Sequence, residues 1–194
     1  GGGGGSSTNI DGASRVGAAP QVLYSAINSK HTSAKWTTFN GDGTKVYIPE
    51  NGTGNDEIWT YDLSTPYDIT TYSNGSGYTN SNIIISSDGM IFNPDGTKMI
   101  LFEVSNNPSI KQYNLNTPYD VSSVASNTPS ATIANDPSYI NWDRGVFANN
   151  GSKFYAMQSA TNGIIKEFTC STPGDLSTAS AVGSSNELQM DTVQ

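Results

Sequence analysis

The sequence is short of several things that narrow what it can do. It has one cysteine, Cys170, which excludes an internal disulfide, and one histidine, His31, which excludes a multi-histidine metal cluster. The same scarcity weakens any nucleophile–imidazole relay, which needs a histidine beside its Ser or Cys and an orienting acid. Basic residues are also few: nine Lys and Arg stand scattered against 17 Asp and Glu, for a net charge of −8. Without a clustered positive face to neutralise phosphates, no nucleic-acid role is expected, and anionic membrane surfaces are disfavoured too. No apolar run approaches the ~20 residues of a membrane-spanning helix, so membrane insertion is not expected. No charged-then-apolar leader opens the chain, which begins GGGGGSST without Met. On that ground it reads as a processed product or an excerpt of something longer.

Strong helix formers are scarce, and Ser, Thr, Asn and Gly stand in their place. That mixture suits short strands joined by polar turns. Disorder is the competing reading, but ten Tyr, six Phe and three Trp supply core material that a disordered chain lacks.

One phrase recurs. FNGDGTKVYIPE begins at Phe39, FNPDGTKMILFE at Phe92 and FANNGSKFYAMQ at Phe147. Aligned on Gly43, Gly96 and Gly151, the copies lie 53 and 55 residues apart. The same register predicts features further on, as a true repeat must. The pairs Asp42-Gly43, Asp95-Gly96 and Asn150-Gly151 supply residues tolerant of positive φ, as tight hairpin turns demand. Each turn leads to a Lys and a short apolar run without alternation, which predicts a strand buried on both faces. A second strand follows in EIWTYDLST, SIKQYNLNT and IIKEFTCST. There, period two sets Tyr61 with Leu63, Tyr113 with Leu115, and Phe168 with Cys170 on one face. Thr65-Pro66, Thr117-Pro118 and Thr172-Pro173 then stop the pairing, because proline has no N–H to give a ladder. AKWTTF, DGMIF and DRGVF form a strand before each turn, and TTYSNGSGY and SATIAND supply a fourth, more variable one. Each unit thus has the size and content of a propeller blade, and no segment reads as a helix.

The pattern F-x-x-D-G-T-K, an apolar run, then Y-x-L-x-T-P-x-D resembles a tandem β-propeller repeat of secreted marine bacterial proteins and phage structural, tail-fibre-like proteins. The likeness runs from about Phe39 to Thr178. The third copy departs most, with Asn150 for the turn Asp, Cys170 for Leu, and Gly174 for the aromatic at Tyr67 and Tyr119. The resemblance implies an interaction scaffold without catalytic residues, and no cofactor is expected. The expected fold is all-β: β-propeller-type repeats in three four-stranded antiparallel blades, over residues 31–79, 83–135 and 138–185, with partial strands at both ends. QVLYSAIN (21–28) reads as the outer strand of an incomplete blade, and ASAVGSSNELQM (179–190) as the outer strand of the third blade and the start of another. Residues 1–19 read as a Gly-rich flexible tether ahead of a repeat domain over 20–194. Closed propellers take four to eight blades. Completion by other chains or by further sequence is the favoured reading; an irregular fourth blade built from the two ends is the rival.

Candidate sites are few. Cys170 stands where the sister repeats have Leu63 and Leu115, and reads as a small buried hydrophobe rather than a nucleophile. His31 reads as a solvated loop residue. NGDGTK and NPDGTK supply one carboxylate each where a calcium loop needs several, so they read as structural turns and no metal is expected. NDE at 55–57 is a slightly better acidic cluster. Glycoside hydrolysis needs two acids across a cleft, and the sequence offers only Asp143 with Asp88 as its counterpart. Trp59 stands where the other repeats have Lys111 and Lys166, so it should face outward, against a local loop or as a binding surface for another chain or a sugar ring. Trp36, Tyr139 and Trp142 flank the innermost strands, where they either line the mouth of a ring or pack between blades. These four aromatics are the candidate binding residues; Gly43, Gly96, Gly151, Tyr61, Tyr113 and Phe168 are structural repeat positions. Sequons at Asn51, Asn74 and Asn150 mark exposed loops.

The expected role is non-enzymatic: a structural or adhesive module of an extracellular assembly, foremost a phage virion, as a tail-fibre or surface protein. Its expected partners are host glycans, neighbouring virion or surface proteins, and other copies of itself. A secreted or cell-surface bacterial scaffold, and a glycan-degrading enzyme on a propeller, are the alternatives.

Overall fold

A computed structural model describes residues 34, 36–50, 56–80, 82–83, 87–104, 108–134, 141–159, 163–183 and 188–189. His31, Asn51, Tyr139, the tether over 1–19 and the strand expected at 21–28 lie outside the described residues. The described backbone is all-β, and its only helical pieces are 3-10 turns of three residues. Strands pair with their neighbours in sequence to give three antiparallel sheets. Sheet one holds β1 (Thr38–Phe39), β2 (Lys45–Glu50), β3 (Glu57–Leu63) and β4 (Tyr72–Thr79). Sheet two holds β5 (Ser87–Phe92), β6 (Lys98–Glu103), β7 (Ser109–Asn114) and β8 (Ala131–Ala134). Sheet three holds β9 (Asn141–Ala148), β10 (Lys153–Ser159), β11 (Ile164–Cys170), β12 (Ala179–Ala181) and β13 (Leu188–Gln189).

The outer strand is continuous only in sheet one. In sheet two, β8 pairs with Ser109–Gln112 while Val124 bridges Leu115 separately. In sheet three, β12 pairs with Phe168–Cys170 and β13 with Ile164–Ile165 of the same strand. Residues 188–189, expected to begin another blade, instead extend the interrupted edge of sheet three.

The repeated turns work somewhat differently from the expectation. Gly43, Gly96 and Gly151 have φ of 73°, 74° and 88°, but Asp42 and Asp95 stay out of the left-handed region. The Asp42 carboxylate accepts from Thr44 N (3.0 Å) and its hydroxyl (2.6 Å), and Asp95 does the same with Thr97. The aspartates thus close Asx turns, and the glycine alone supplies positive φ. In the third copy Asn149 and Asn150 both turn left-handed, at 49° and 52°. The Pro-containing stops build a second conserved-geometry turn. Asp68, Asp120 and Asp175 accept from the amides of Thr70, Ser122 and Ser177. Tyr67 and Tyr119 are themselves left-handed, and their rings lie over the turn glycines, so a Cβ on Gly43 or Gly96 would come within 2.4 or 2.3 Å of them. In the third copy Gly174 takes the place of the aromatic; a Cβ on Gly151 would lie 2.5 Å from Gly174 N, and one on Gly174 would lie 3.1 Å from Pro94 and 3.2 Å from Asn93 of sheet two.

The sheets stack face to face in chain order, always in the same sense. Tyr47 and Ile58 of sheet one bury against Met90, Met99, Leu101 and Tyr113 of sheet two. Ile100, Phe102 and Ile110, on the other face of sheet two, bury against Trp142, Phe154, Phe168 and Cys170 of sheet three. Sandwiching on both sides explains why β6 is buried at five consecutive positions, whereas in β2 the face turned away from sheet two, with Val46 and Ile48, is covered by Phe39, Trp59, Tyr61 and Tyr72 of its own sheet. β10 departs from the expected two-faced burial. Phe154, Ala156 and Gln158 are buried on the face toward sheet two, while Tyr155 and Met157 on the other face are only half-buried, and Val146 beside them is 58% exposed. Cys170 is buried, as its place in the repeat requires. Burial pushes its thiol pKa up, with the nearby Asp175 charge adding to the effect.

Candidate functional site

The two seams between sheets are repeat-equivalent but chemically different. In the second, Gln112 on β7 reaches across to the Pro-containing turn of sheet three. Its Nε2 donates to Asp175 Oδ1 at 3.0 Å and to Ser130 Oγ at 3.0 Å, and its Oε1 accepts from Leu176 N at 2.8 Å. Lys98 Nζ lies 3.4 Å from the other Asp175 oxygen. The bridge is saturated and buried, Gln112 having no exposed surface. Burial would raise the Asp175 pKa, but the hydrogen bonds from Gln112 and Ser177 and the Lys98 charge outweigh it and hold the carboxyl at about 2.

In the first seam the register places Thr60 opposite Tyr47 just as Gln112 lies opposite Ile100. Threonine is too short to span the gap. Lys45, the counterpart of Lys98, is held within its own sheet by Asp62, where sheet two has Asn114. Asp120 therefore keeps its turn contacts with Ser122 but receives neither the amide nor the lysine that Asp175 receives. The seam is tied elsewhere, by Tyr47 Oη donating to the Tyr119 carbonyl at 2.6 Å. What remains is a cavity of about 570 Å³ lined by Thr60, Ser76, Tyr78, Tyr119, Asp120 and Val121, among others. That volume falls within the roughly 300–1,000 Å³ of small-molecule sites.

The aromatics singled out from sequence lie elsewhere. Trp59 is half-buried rather than outward-facing: it packs with Val46, Ile48, Tyr61 and Leu63, stacks on Tyr61 at 6.2 Å, and covers Gly77. Glycine across the strand pair makes room for an indole where the sister sheets carry lysine. Trp142 is 2% exposed and packs in the second seam, edge-on to Phe168 at 6.2 Å, with Nε1 donating to the Ala134 carbonyl; it is removed from the binding set. Trp36 is 37% exposed beneath the Arg144 guanidinium, 4.5 Å from its ring centroid. Among the described residues no three His, Cys, Asp or Glu side chains gather as metal ligands. None of the cavity residues is among the binding candidates the sequence offers, though Thr117, Pro118 and Tyr119 stand out there as repeat positions. The available signal was a difference between copies, Thr60 and Asp62 against Gln112 and Asn114 on one strand.

No family model and no curated protein matches the chain. Solved bacterial structures do. A Lactobacillus plantarum protein superposes with a TM-score of 0.52 at 16% identity, over 77% of this chain and 40% of its own. A Bacteroides fragilis protein, described as "a putative 6-phosphogluconolactonase", gives 0.49 at 15% identity over 81% and 39%. A Bacteroides uniformis protein described in the same words gives 0.47 at 14% identity over 80% and 40%. The chain thus spans about 40% of the length of these structures. At 16% identity the likeness to the Lactobacillus plantarum protein is one of propeller-like fold alone. The expectation of a phage-virion adhesive module is corrected on that finding, which is a likeness to a bacterial fold and carries no adhesive role. The reason for the miss is physical. A four-stranded blade meets the packing needs of many unrelated proteins, so the repeat specifies a scaffold and not its use.

The Asp175 bridge makes a prediction about acid. A carboxyl held at about 2 in the fold and near 3.8 when unfolded contributes stability above pH 3.8, lost as pH falls towards 2. Urea midpoints measured across that range should fall less steeply for Asp175→Asn than for the parent. Identical slopes would show that the bridge does not favour the ionised form.

Proposed function

We propose that this chain is a propeller segment that binds a small polar ligand at the seam between its first two sheets. The supporting observation is the cavity left where Thr60 stands in the place that Gln112 fills in the second seam. Its walls come from rigid strands and Asx-closed turns, so the site is preformed and asks little ordering of the protein on binding. The lining offers hydroxyls, the Asp120 carboxylate, the Lys45 ammonium, which Asp62 holds, and the Asn40 amide around the Tyr78 and Tyr119 rings, which suits recognition by hydrogen bonds with aromatic contact. The reading assigns binding, not turnover. It places the chain in a larger propeller, whose remaining blades come from other copies or from further sequence.

The test is a fragment screen by NMR with small alcohols, amides, amines and acids on the isotopically labelled chain. Shifts gathered at Thr60, Ser76, Tyr119 and Ser122 support the assignment. Shifts gathered at the Trp36–Arg144 end of the sheets, or none at all, overturn it.

A further inference from the structure

The protein itself shows what chemistry the first seam accepts, because it has filled the equivalent space in the second with a primary carboxamide. There the amide oxygen takes a hydrogen from Leu176 N, and the amide nitrogen gives its two hydrogens to Asp175 and Ser130. Two of the three partners have repeat counterparts in the first seam, Val121 in the place of Leu176 and Asp120 in that of Asp175. The third, a hydroxyl, is offered by Ser76, which pairs with Thr60 on β4, whereas Gln112 pairs with Ala131, the residue after Ser130. Val121, Asp120 and Ser76 all line the cavity. Among the described residues no side chain of sheet one reaches Val121 N or bridges to Asp120, as Gln112 does to Leu176 N and Asp175.

The geometry points to a primary carboxamide as the recognised group. Its oxygen would accept from Val121 N, and its NH₂ would donate to the Asp120 carboxylate and the Ser76 hydroxyl. This deepens the binding function proposed above and rests on it. A carboxylate in that position would meet Asp120 charge to charge, and an alcohol has one hydrogen to give where the carboxamide has two. The cavity is several times the size of a carboxamide, so the ligand carries a further body alongside Tyr78 and Tyr119. The group could come from a small amide or from a glutamine or asparagine side chain of a partner, which offer the same atoms.

The experiment is an NMR titration with propionamide, propionate and propanol, and with a short glutamine-bearing peptide beside its glutamate counterpart. Saturable movement of the Val121 amide is expected with propionamide, the glutamine peptide or both, and which one binds more tightly identifies the source. Propionate, propanol and the glutamate peptide should bind about tenfold or more weakly, the ratio set by one lost or repelled charge-assisted hydrogen bond. Thr60→Gln places the protein's own carboxamide in the socket and should abolish binding. It should also shift the Val121 amide, without ligand, towards its bound position. Asp120→Asn is the second variant: it keeps a side-chain acceptor for Ser122 while removing the charge, and should weaken amide binding several-fold. Propionate or propanol binding the seam as tightly as propionamide would overturn the carboxamide assignment and leave a seam site of other specificity. No probe moving the seam would overturn both.

Discussion

Trp142→Ala should destabilise the protein by about 3–5 kcal/mol, the range for deleting a fully buried large aromatic. The indole is 2% exposed, meets the Phe168 ring edge-on, and sits among Phe102, Ile110 and Phe154 at the second seam. Close-packed neighbours cannot collapse fully into the space it leaves, so the cavity adds to the lost transfer free energy. The substitution also strips the Ala134 carbonyl of its 3.1 Å donor. Trp142→Phe separates the two effects: it keeps most of the ring and should cost about 1–3 kcal/mol, the combined scale of one lost hydrogen bond and a smaller void. Equilibrium urea unfolding would measure both. A loss below about 1 kcal/mol for the alanine variant would mean that Trp142 is not a packing residue, and would restore it as a candidate for lining an open mouth.

Gln112→Ala should cost about 2–4 kcal/mol, and the effect is directional. Removing the amide leaves Leu176 N buried without its acceptor, and an unsatisfied buried amide costs about 1–3 kcal/mol. Asp175 loses one of the donors that hold its pKa at about 2, so its carboxyl should titrate closer to 3.8 and the acid limb of stability should flatten. The variant also recreates in the second seam the opening that the first seam has naturally. Added propionamide should therefore recover part of the lost stability, as any ligand that binds only the folded state does. A variant as stable as the parent, with unchanged acid behaviour, would mean that the bridge contributes nothing to the seam.

Most of the architecture could be read from the sequence because its determinants are local. The turn glycines, the phenylalanine before each turn, the apolar strand and the proline stop all lie within a few residues of one another, and the copies confirm each other. The aspartates of the turns depart from expectation because Asp-Gly is a hairpin signal in general, whereas here the threonine two residues on captures the carboxylate. The composition of β10 matches β2 and β6 and so predicts burial on both sides. What sets its exposure is what covers the face turned away from sheet two: aromatics of the same sheet cover Val46 and Ile48 in β2, and no residue of β10 encodes such cover. Trp59 looked outward by analogy with lysine, but the glycine that receives it lies 18 residues away on β4. The cavity was the hardest feature to find. Thr60 looks like ordinary drift from Gln112 until Asp120 and Val121 of the next repeat are known to face it across the cavity. Function was the least legible of all, since a stack of blades presents whatever its seams and edges happen to carry.

The central claim is that the two seams are geometrically equivalent and that one is bridged by an amide while the other is left open. Paired double-mutant cycles test it most directly, using Gln112→Ala with Asp175→Ala across the second seam and Thr60→Ala with Asp120→Ala across the first. The account predicts a coupling of about 1–3 kcal/mol across the second, as for a charge-assisted hydrogen bond, and none beyond error across the first. Equal couplings across both seams would contradict it, because the first would then be closed.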